Sequence, residues 1–255
     1  MAYAVTAVKN SRKYKVDIDL LRKLCLVPTD VLWELLGVTE HPRMYFEDRG
    51  SNILCVAHVD CYGLPHSFRY VKRPDKPSII MSPQLDDRLG VYTVLHALYH
   101  LGMDILLTDD EEAALSTAAC FTPPRRYNWV VEFDRRGHDA VTYQYYVPEL
   151  REYFDIGAGT YSDIVDMEHL GVACFNVGIG FHKEHTAECY MNHKEWSRQM
   201  EAFEQFFDDY KDVALEFEEK CRCQLISSSL LEMWMEEIGE TPTCPYCGLE
   251  MNVSG

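Results

Sequence analysis

Four short, predominantly apolar runs constrain the fold of this chain more than any other feature of its sequence. They are ILCVAHV from residue 53, MDILLT from 103, NWVVEF from 128 and VACFNVGIG from 172. Such runs are typical of parallel strands buried on both faces, whereas half-solvated strands alternate apolar and polar residues. The sequence therefore predicts an α/β protein with a mixed, largely parallel central sheet flanked by helices.

The segments between and around these runs supply the flanking elements. Apolar residues between 14 and 37 recur at helical spacing on both sides of Pro28, which predicts two short helices because proline cannot continue a helix interior. Residues 67–82 are typical of a hairpin or of two short strands. A last helix is predicted from apolar residues that step by four and three, at 196, 200, 203, 207, 210, 214 and 217.

Composition and charge restrict the class of function. The chain has 255 residues, of which 47% are hydrophobic, enough for one full core with at most a small appendix. Its formal net charge of -17 argues against a nucleic-acid or anionic membrane partner, because phosphate binding depends on clustered Lys and Arg. The sequence does not open on a leader-like segment, and no apolar run approaches the roughly 20 residues of a membrane helix. We expect a cytoplasmic protein.

Residue types that ligate metals stand at the ends of the apolar runs. His58 and Asp60 close the first run, Glu111 and Glu112 follow the second, and Asp134 ends the third. Open α/β sheets place their sites at the carboxyl ends of strands, so we expect these side chains to converge. Taken singly, a buried core histidine and a solvated acidic loop are the plainer alternatives.

The segment QLDDRLG, residues 84–90, places Asp86 and Asp87 at the start of an apolar helix that Gly102 is expected to end. Aspartates at a helix start are also favoured by capping and by the helix dipole, which is the structural alternative. We interpret Asp86 as the bridge between two metal ions, because two cations close together need a shared anion. His185, after the fourth run, completes the candidate set.

Ten cysteines in a chain without a leader favour reduced thiols or metal ligands over a disulfide framework. Six are scattered, and most of them lie in apolar surroundings. The other four form a C-x-C pair, Cys221 and Cys223, and a C-P-x-C-G turn, Cys244 and Cys247. This spacing suggests a structural zinc site in a knuckle-like tail over residues 221–255, with free surface thiols as the alternative.

The candidate ligands resemble, in their order along the chain, those of the co-catalytic dizinc exopeptidase clan, which includes aminopeptidases, carboxypeptidases and related amidohydrolases. The residues that carry the resemblance are His58-x-Asp60, Asp86-Asp87, Glu111-Glu112, Asp134 and His185. DDRLG and EEAALSTAA are most similar to the deblocking, tetrahedral aminopeptidases, although Ala114 and Thr117 stand where that branch has glycines. YSDIVDMEHLGVACFNVGIG is similar to a segment of the leucyl-type aminopeptidases, and HTAE to an ending that several branches share. The match covers roughly residues 50–190.

The resemblance implies two zinc ions, with cobalt or manganese as alternatives. The implied ligands of the first are His58, Asp86 and Asp134, and those of the second are Asp86, Glu112 and His185. Asp60 would orient His58, and Glu111 would be the general base that takes a proton from a metal-bridging water. His182, Tyr161 and Asp163 are further candidates for contacts with the substrate.

Loop lengths indicate a bare catalytic domain over residues 1–220. Only 27 residues separate His58 from Asp86, and 50 separate Asp134 from His185, which leaves no room for an inserted lid or dimerisation domain. An oligomer is therefore not indicated. The expected activity is hydrolysis of peptide or peptide-like amide bonds.

An aminopeptidase is favoured over a carboxypeptidase or deacylase, because acids near the ligands would suit a free α-ammonium group. The acids invoked are Asp109, Asp110, Glu184, Glu188 and Asp163, and the opposing cations are Arg88, Arg135 and Arg136. A non-catalytic scaffold that keeps the fold is the other class. The complete ligand set favours the enzyme, since a scaffold has no need of a costly carboxylate cluster.

Overall fold

The computed structural model describes residues 14–73 and 75–218. The four tail cysteines, Cys221, Cys223, Cys244 and Cys247, lie outside the described residues, so the zinc-knuckle hypothesis stays a prediction.

The described residues form ten strands in two sheets. The strands are β1 (Tyr45–Glu47), β2 (Ile53–His58), β3 (Arg69–Val71), β4 (Ile79–Met81), β5 (Asp104–Thr108), β6 (Trp129–Arg135), β7 (Ala140–Val141), β8 (Cys174–Gly178), β9 (Phe181–His182) and β10 (Tyr190–Asn192). The larger sheet has the order β1-β5-β2-β6-β8-β7, and the smaller one has the order β3-β4-β10-β9.

The centre of the larger sheet is parallel. β5 with β2, β2 with β6, and β6 with β8 are parallel pairs, whereas the outer strands β1 and β7 join antiparallel. These four central strands are the four apolar runs, and every residue of β2, β5 and β8 is buried. The predicted α/β fold with a mixed, largely parallel sheet is confirmed, and its reason is burial on both faces.

Four α-helices flank the sheets in the described part of the chain: α1 (Ile18–Leu26), α2 (Thr29–Leu35), α3 (Leu85–Tyr92) and α4 (His193–Tyr210). The two short helices on either side of Pro28 were predicted correctly. The Asp17 side chain caps α1 by accepting hydrogen bonds from the backbone N–H groups of Asp19 and Leu20. 3₁₀ helices cover Tyr99–Leu101, Glu111–Ala113, Thr117–Cys120, Pro148–Glu152 and Asp163–Leu170.

The last helix is shorter than predicted. Its apolar stripe continues to residue 217 in the sequence, but α4 ends at Tyr210. Beyond it the backbone of Leu215 donates a 2.9 Å hydrogen bond to Asn128 and accepts one of 2.9 Å from Ala173. These bonds to the starts of β6 and β8 replace further helical bonds, which a sequence pattern cannot anticipate.

The helix expected from QLDDRLG to Gly102 is interrupted at both ends. Asp86 and Asp87 have non-helical backbone angles inside α3, and the peptide bond between them is cis. After α3 the chain passes through a π turn, Thr93–Ala97, before it reaches Gly102 at φ 75°. Asp86 makes no helix-capping bond, whereas Asp87 accepts one from the backbone N–H of Gly90, so the capping alternative holds for Asp87 and not for Asp86.

The smaller sheet confirms the hairpin expected in residues 67–82, because β3 and β4 pair antiparallel. Its other two strands, β9 and β10, flank the loop that carries His185. Among the described residues, no helix combines the length and apolar character needed to span a membrane.

Gly90 gives a test of the packing behind the site. Its N–H donates a 2.9 Å hydrogen bond to Asp87 Oδ1, and a Cβ at this position would overlap the Asp87 carboxylate and the backbone oxygen of Phe133. We expect Gly90→Ala to lower the free energy of unfolding by about 1–3 kcal/mol, the usual cost of overpacking. Urea denaturation measures it, with Gly63→Ala as the control because nothing lies within 4 Å of a Cβ there. Equal midpoints for the two variants would contradict this packing.

Candidate metal centre

Three predicted ligands meet where β2, β6 and α3 converge. His58 Nε2 lies 3.3 Å from Asp86 Oδ1 and 3.3 Å from Asp134 Oδ1. His58 is the last residue of β2, Asp134 lies near the end of β6, and Asp86 is placed by the break in α3. The three side chains form a group that could hold a metal ion.

A second group shares Asp86 with the first. Asp86 Oδ2 lies 3.2 Å from His185 Nε2, which in turn lies 3.0 Å from Glu112 Oε2. Asp86 therefore presents one carboxylate oxygen to each group. This is the arrangement that a carboxylate needs in order to bridge two cations.

The spacing and chemistry of these atoms fit metal ligands. Two ligand atoms at the usual zinc distance of about 2.0 Å in a tetrahedral site are about 3.3 Å apart, which is the spacing in the first group. His58 Nε2 and Asp134 Oδ1 are also buried without any hydrogen-bond partner among the described residues. Buried polar atoms are normally satisfied, so a cation between them would supply what the protein leaves out.

The pKa shifts within the cluster also indicate that it favours bound positive charge. Burial raises the pKa of Asp134 well above its usual value, and the neighbouring Asp86 raises it further. Burial opposes protonation of His58, but Asp134 and Glu111 outweigh it and hold the pKa of His58 well above normal. Burial works against ionised Asp86 too, yet the adjacent imidazoles of His185 and His58 lower its pKa. When no metal is bound, protonated imidazoles therefore supply the positive charge that metal ions would otherwise provide.

Asp60 connects His58 to the acidic loop. His58 Nδ1 lies 3.0 Å from the backbone oxygen of Asp60 and 3.3 Å from its Oδ1. The Asp60 carboxylate also accepts hydrogen bonds from the backbone N–H groups of Glu111, at 3.3 Å, and Glu112, at 3.0 Å. A proton held on Nδ1 leaves Nε2 free to bind metal, so Asp60 is placed to orient the imidazole and the loop together.

Glu111 faces the first group without belonging to either. Its Oε2 lies 3.7 Å from His58 Nε2, and its side chain lines a cavity of about 250 Å³. Burial raises the pKa of Glu111 to about 8, with contributions from Asp163 and Asp86. The Glu111 carboxylate therefore lies beside the candidate ligands and is not itself one of them.

The other three candidates for substrate contacts separate in the structure. Tyr161 lines the cavity. Asp163 is fully buried and accepts hydrogen bonds from Ser116 Oγ, at 2.5 Å, and from Thr108 Oγ1. It does not line the cavity, so its role is to hold neighbouring segments together. His182 does not line the cavity, and its Nε2 lies 3.0 Å from Glu195 Oε2.

Most of the acids that lie near the candidate ligands in the sequence do not line the cavity in the structure. Asp109 pairs with Arg43 at 2.8 Å, Glu188 pairs with Lys183, and neither acid lines the cavity. Of the five acids invoked, the cavity wall contains Glu184 alone. Pairings of this kind depend on tertiary contacts that a count of charges does not include.

Of the three arginines that oppose the aminopeptidase interpretation, two line the cavity and one does not. Arg88 is fully buried, donates a 3.0 Å hydrogen bond to Thr29 Oγ1 and does not line the cavity. Arg135 and Arg136 do line it. The cations at the site are therefore the two that directly follow the ligand Asp134 in the sequence.

Sequence reasoning missed several residues around the centre. Tyr62 stacks its ring on His185 with centroids 5.0 Å apart, and its N–H donates a 3.0 Å hydrogen bond to Glu112 Oε1. Tyr143 and Asn176 line the cavity, and Asn176 Oδ1 accepts a 3.1 Å hydrogen bond from the backbone N–H of Asp134. An asparagine that interrupts an apolar strand was the available signal for Asn176, whereas nothing local marked Tyr143.

Comparison with known proteins gives the fold. No family model and no curated protein sequence matches the chain. Among solved structures, aminopeptidase PepT from Bacillus cereus is 9% identical with a TM-score of 0.52, over 73% of this chain and 95% of that one. An aminopeptidase from the archaeon Desulfurococcus kamchatkensis is 14% identical with a TM-score of 0.53, over 73% and 93%.

A third similar structure, described as an endoglucanase from Thermotoga maritima, is 11% identical with a TM-score of 0.50, over 75% of this chain and 97% of that one. The expected resemblance to the co-catalytic dizinc exopeptidases is thus confirmed in the fold. At these identities the likeness establishes the fold alone, so the activity has to be argued from the site.

Asp86→Ala tests the shared ligand. Because the change removes one ligand from each group and leaves two cations facing each other, we expect both sites to weaken and at least one metal ion to be lost. Titration calorimetry with zinc, cobalt and manganese, combined with elemental analysis, should show two ions per chain in the wild type and at most one weakly held ion in the variant. Glu188→Ala, in the same loop as His185 but outside both groups, is the control. Wild-type protein that takes up no metal, or a variant that binds as the wild type does, would show that the cluster is not a metal centre.

Proposed function

We propose that this chain is a dizinc metallohydrolase that cleaves peptide or peptide-like amide bonds, and that it removes residues from the amino end. The observation that carries the proposal is Asp86 shared between two groups of imidazole and carboxylate ligands, with the unligated Glu111 beside them. Nitrogen and oxygen donors of these types suit zinc, and cobalt or manganese are the alternatives.

The five ligand residues divide between two positions. His58, Asp86 and Asp134 would hold one ion, and Asp86, Glu112 and His185 the other. When bound, the ions polarise the scissile carbonyl and make the attacking water more acidic. The remaining chemistry is proton transfer, which the side chains of the chain have to perform.

Glu111 is suited to that transfer. Its carboxylate would take the proton that the water loses as the new C–O bond forms, and would deliver it to the amine nitrogen as the C–N bond breaks. The 3.7 Å distance from His58 Nε2 and its place in the cavity support this role. Ser116 Oγ is not a competing nucleophile, because Ser116 is buried and does not line the cavity.

The amino-end specificity rests on different support. Two of the similar structures are aminopeptidases by name, and the cavity wall contains the acid Glu184, whose carboxylate pairs with Arg136. Arg135 and Arg136 favour the second candidate, a carboxypeptidase or deacylase on the same fold. A non-catalytic scaffold has no specific observation in its favour. A cytoplasmic location stays a prediction from the sequence.

Glu111→Gln tests the proton transfer. The amide keeps the shape of the side chain but cannot accept the proton, so we expect kcat to fall by about 100-fold or more while both metal ions stay bound. Steady-state kinetics and metal titration on the same preparation separate the two effects. Glu112→Gln is the matched comparison, since loss of that ligand should weaken metal binding first. Unchanged turnover in Glu111→Gln would show that another group is the base.

A peptide panel tests the direction of attack. We expect tetrapeptides with a free amino end to be cleaved, N-acetylated ones to resist, and C-amidated ones to be cleaved as well as the free peptides. Product analysis with added zinc, cobalt or manganese provides the measurement. Cleavage of acetylated but not amidated peptides would favour the carboxypeptidase or deacylase, and no cleavage with any metal would favour the scaffold.

A further inference from the structure

The cavity contains two guanidinium groups that the proposed chemistry does not use. Arg135 and Arg136 follow Asp134 at the end of β6, and both line the cavity. The described lining has five carboxylates, of Asp86, Glu111, Glu112, Asp134 and Glu184, against these two cations. Two divalent ions would leave such a lining with a small net positive charge. A metal-loaded cavity would therefore favour an anionic group of the substrate.

Arg135 is fixed by the protein. Its Nε and Nη2 donate to the two carboxylate oxygens of Asp139 at 3.2 and 3.1 Å, and Nη2 also donates to the backbone oxygen of Ala158 at 3.0 Å. A guanidinium held in this way gives positive charge to the wall but has few donors left for a ligand.

Arg136 is engaged on one side only. Its Nη1 pairs with Glu184 Oε1, and its Nε and Nη2 donate to no group in the described part of the chain. The side chain is 56% exposed. The Nε and Nη2 donors form an edge of the guanidinium fork that can bind a carboxylate through two parallel hydrogen bonds.

We propose that this wall is a carboxylate subsite, in which Arg136, beside the fixed charge of Arg135, recognises a carboxylate of the substrate close to the scissile bond. The proposal deepens the peptidase function and rests on it. Arg136 lines the same cavity as Asp86, Glu111 and Asp134, so the carboxylate has to belong to a part of the substrate near the bond that is cut. Two sources meet this requirement: an acidic side chain on the amino-terminal residue, and the terminal carboxylate of a dipeptide.

The Arg136–Glu184 pair also has a purely structural reading. Glu184 lies in the loop that carries His185, and Lys183 and His185 both have positive φ, at 59° and 56°. The pair joins this loop to the end of β6 and could serve only to hold it. Glu184→Gln breaks the pair and keeps the guanidinium, whereas Arg136→Gln breaks the pair and removes it.

Two substrate pairs isolate the carboxylate. Glu-Ala-Ala amide and Gln-Ala-Ala amide differ in the side-chain carboxylate alone, and Leu-Ala and Leu-Ala amide differ in the terminal carboxylate alone. The readout is the ratio of kcat/KM within each pair, because an effect of the loop on all substrates cancels in it.

We expect the wild type to favour the carboxylate member of at least one pair by about 10-fold, the scale of a charge-assisted hydrogen bond at an exposed site. Glu184→Gln should keep or increase that ratio. Arg136→Gln should bring it close to one, and Arg136→Lys should give an intermediate ratio, because lysine keeps the charge without the fork. The pair with the larger ratio identifies the source of the carboxylate.

Ratios near one in both pairs, with the neutral peptides cleaved, would overturn the subsite and leave the peptidase function standing. The subsite would also be overturned if Arg136→Gln and Glu184→Gln lowered all rates equally and left the ratios unchanged, since the pair would then only hold the loop. No cleavage of any peptide would instead contradict the proposed function, and the subsite with it.

Discussion

Mutual repulsion among buried carboxylates is the constraint on which the rest of this structure depends. Asp86, Asp87, Glu132 and Asp163 are all buried within the same end of the sheet, and Asp134 and Glu111 lie close by. Burial raises the pKa of Asp87 and of Glu132 well above their usual values, with other carboxylates adding to the effect. Protonation or added positive charge relieves such repulsion, and two cations that share Asp86 are a source of charge that the geometry of the candidate ligands allows.

Three buried acids that are not candidate ligands bind the segments around the candidate metal centre. Glu132 accepts hydrogen bonds from Ser162 Oγ and from the backbone N–H of Asp163, and Asp163 accepts from Ser116 beyond the acidic loop. Asp87 accepts from Gly90 within α3, just after Asp86, the candidate bridging residue. Each of these three acids therefore accepts at least one backbone or hydroxyl hydrogen bond, and the bonds to Glu132 and Asp163 join separate segments of the chain near the candidate ligands.

Much of the fold and the grouping of the candidate ligands could be predicted from the sequence because both have local signals. The four central strands are apolar runs, and their ends carry the ligand residues. The cavity wall could not be predicted in this way, since Arg136 meets Glu184 across 48 positions and Tyr62 stacks on His185 from a distant loop. The sequence overestimated the number of acids at the cavity for the same reason, because Asp109 pairs with Arg43 instead of lining it. The end of α4 depends on hydrogen bonds to the starts of two strands, which periodicity does not contain.

The central claim is that one carboxylate, that of Asp86, is shared by two metal ions. Anomalous X-ray scattering at the zinc edge, from crystals grown with zinc, tests this most directly. The account predicts two peaks, one on each side of the Asp86 carboxylate, the first beside His58 and Asp134 and the second beside Glu112 and His185. A single peak, or peaks that leave Asp86 without a metal on either side, would contradict it.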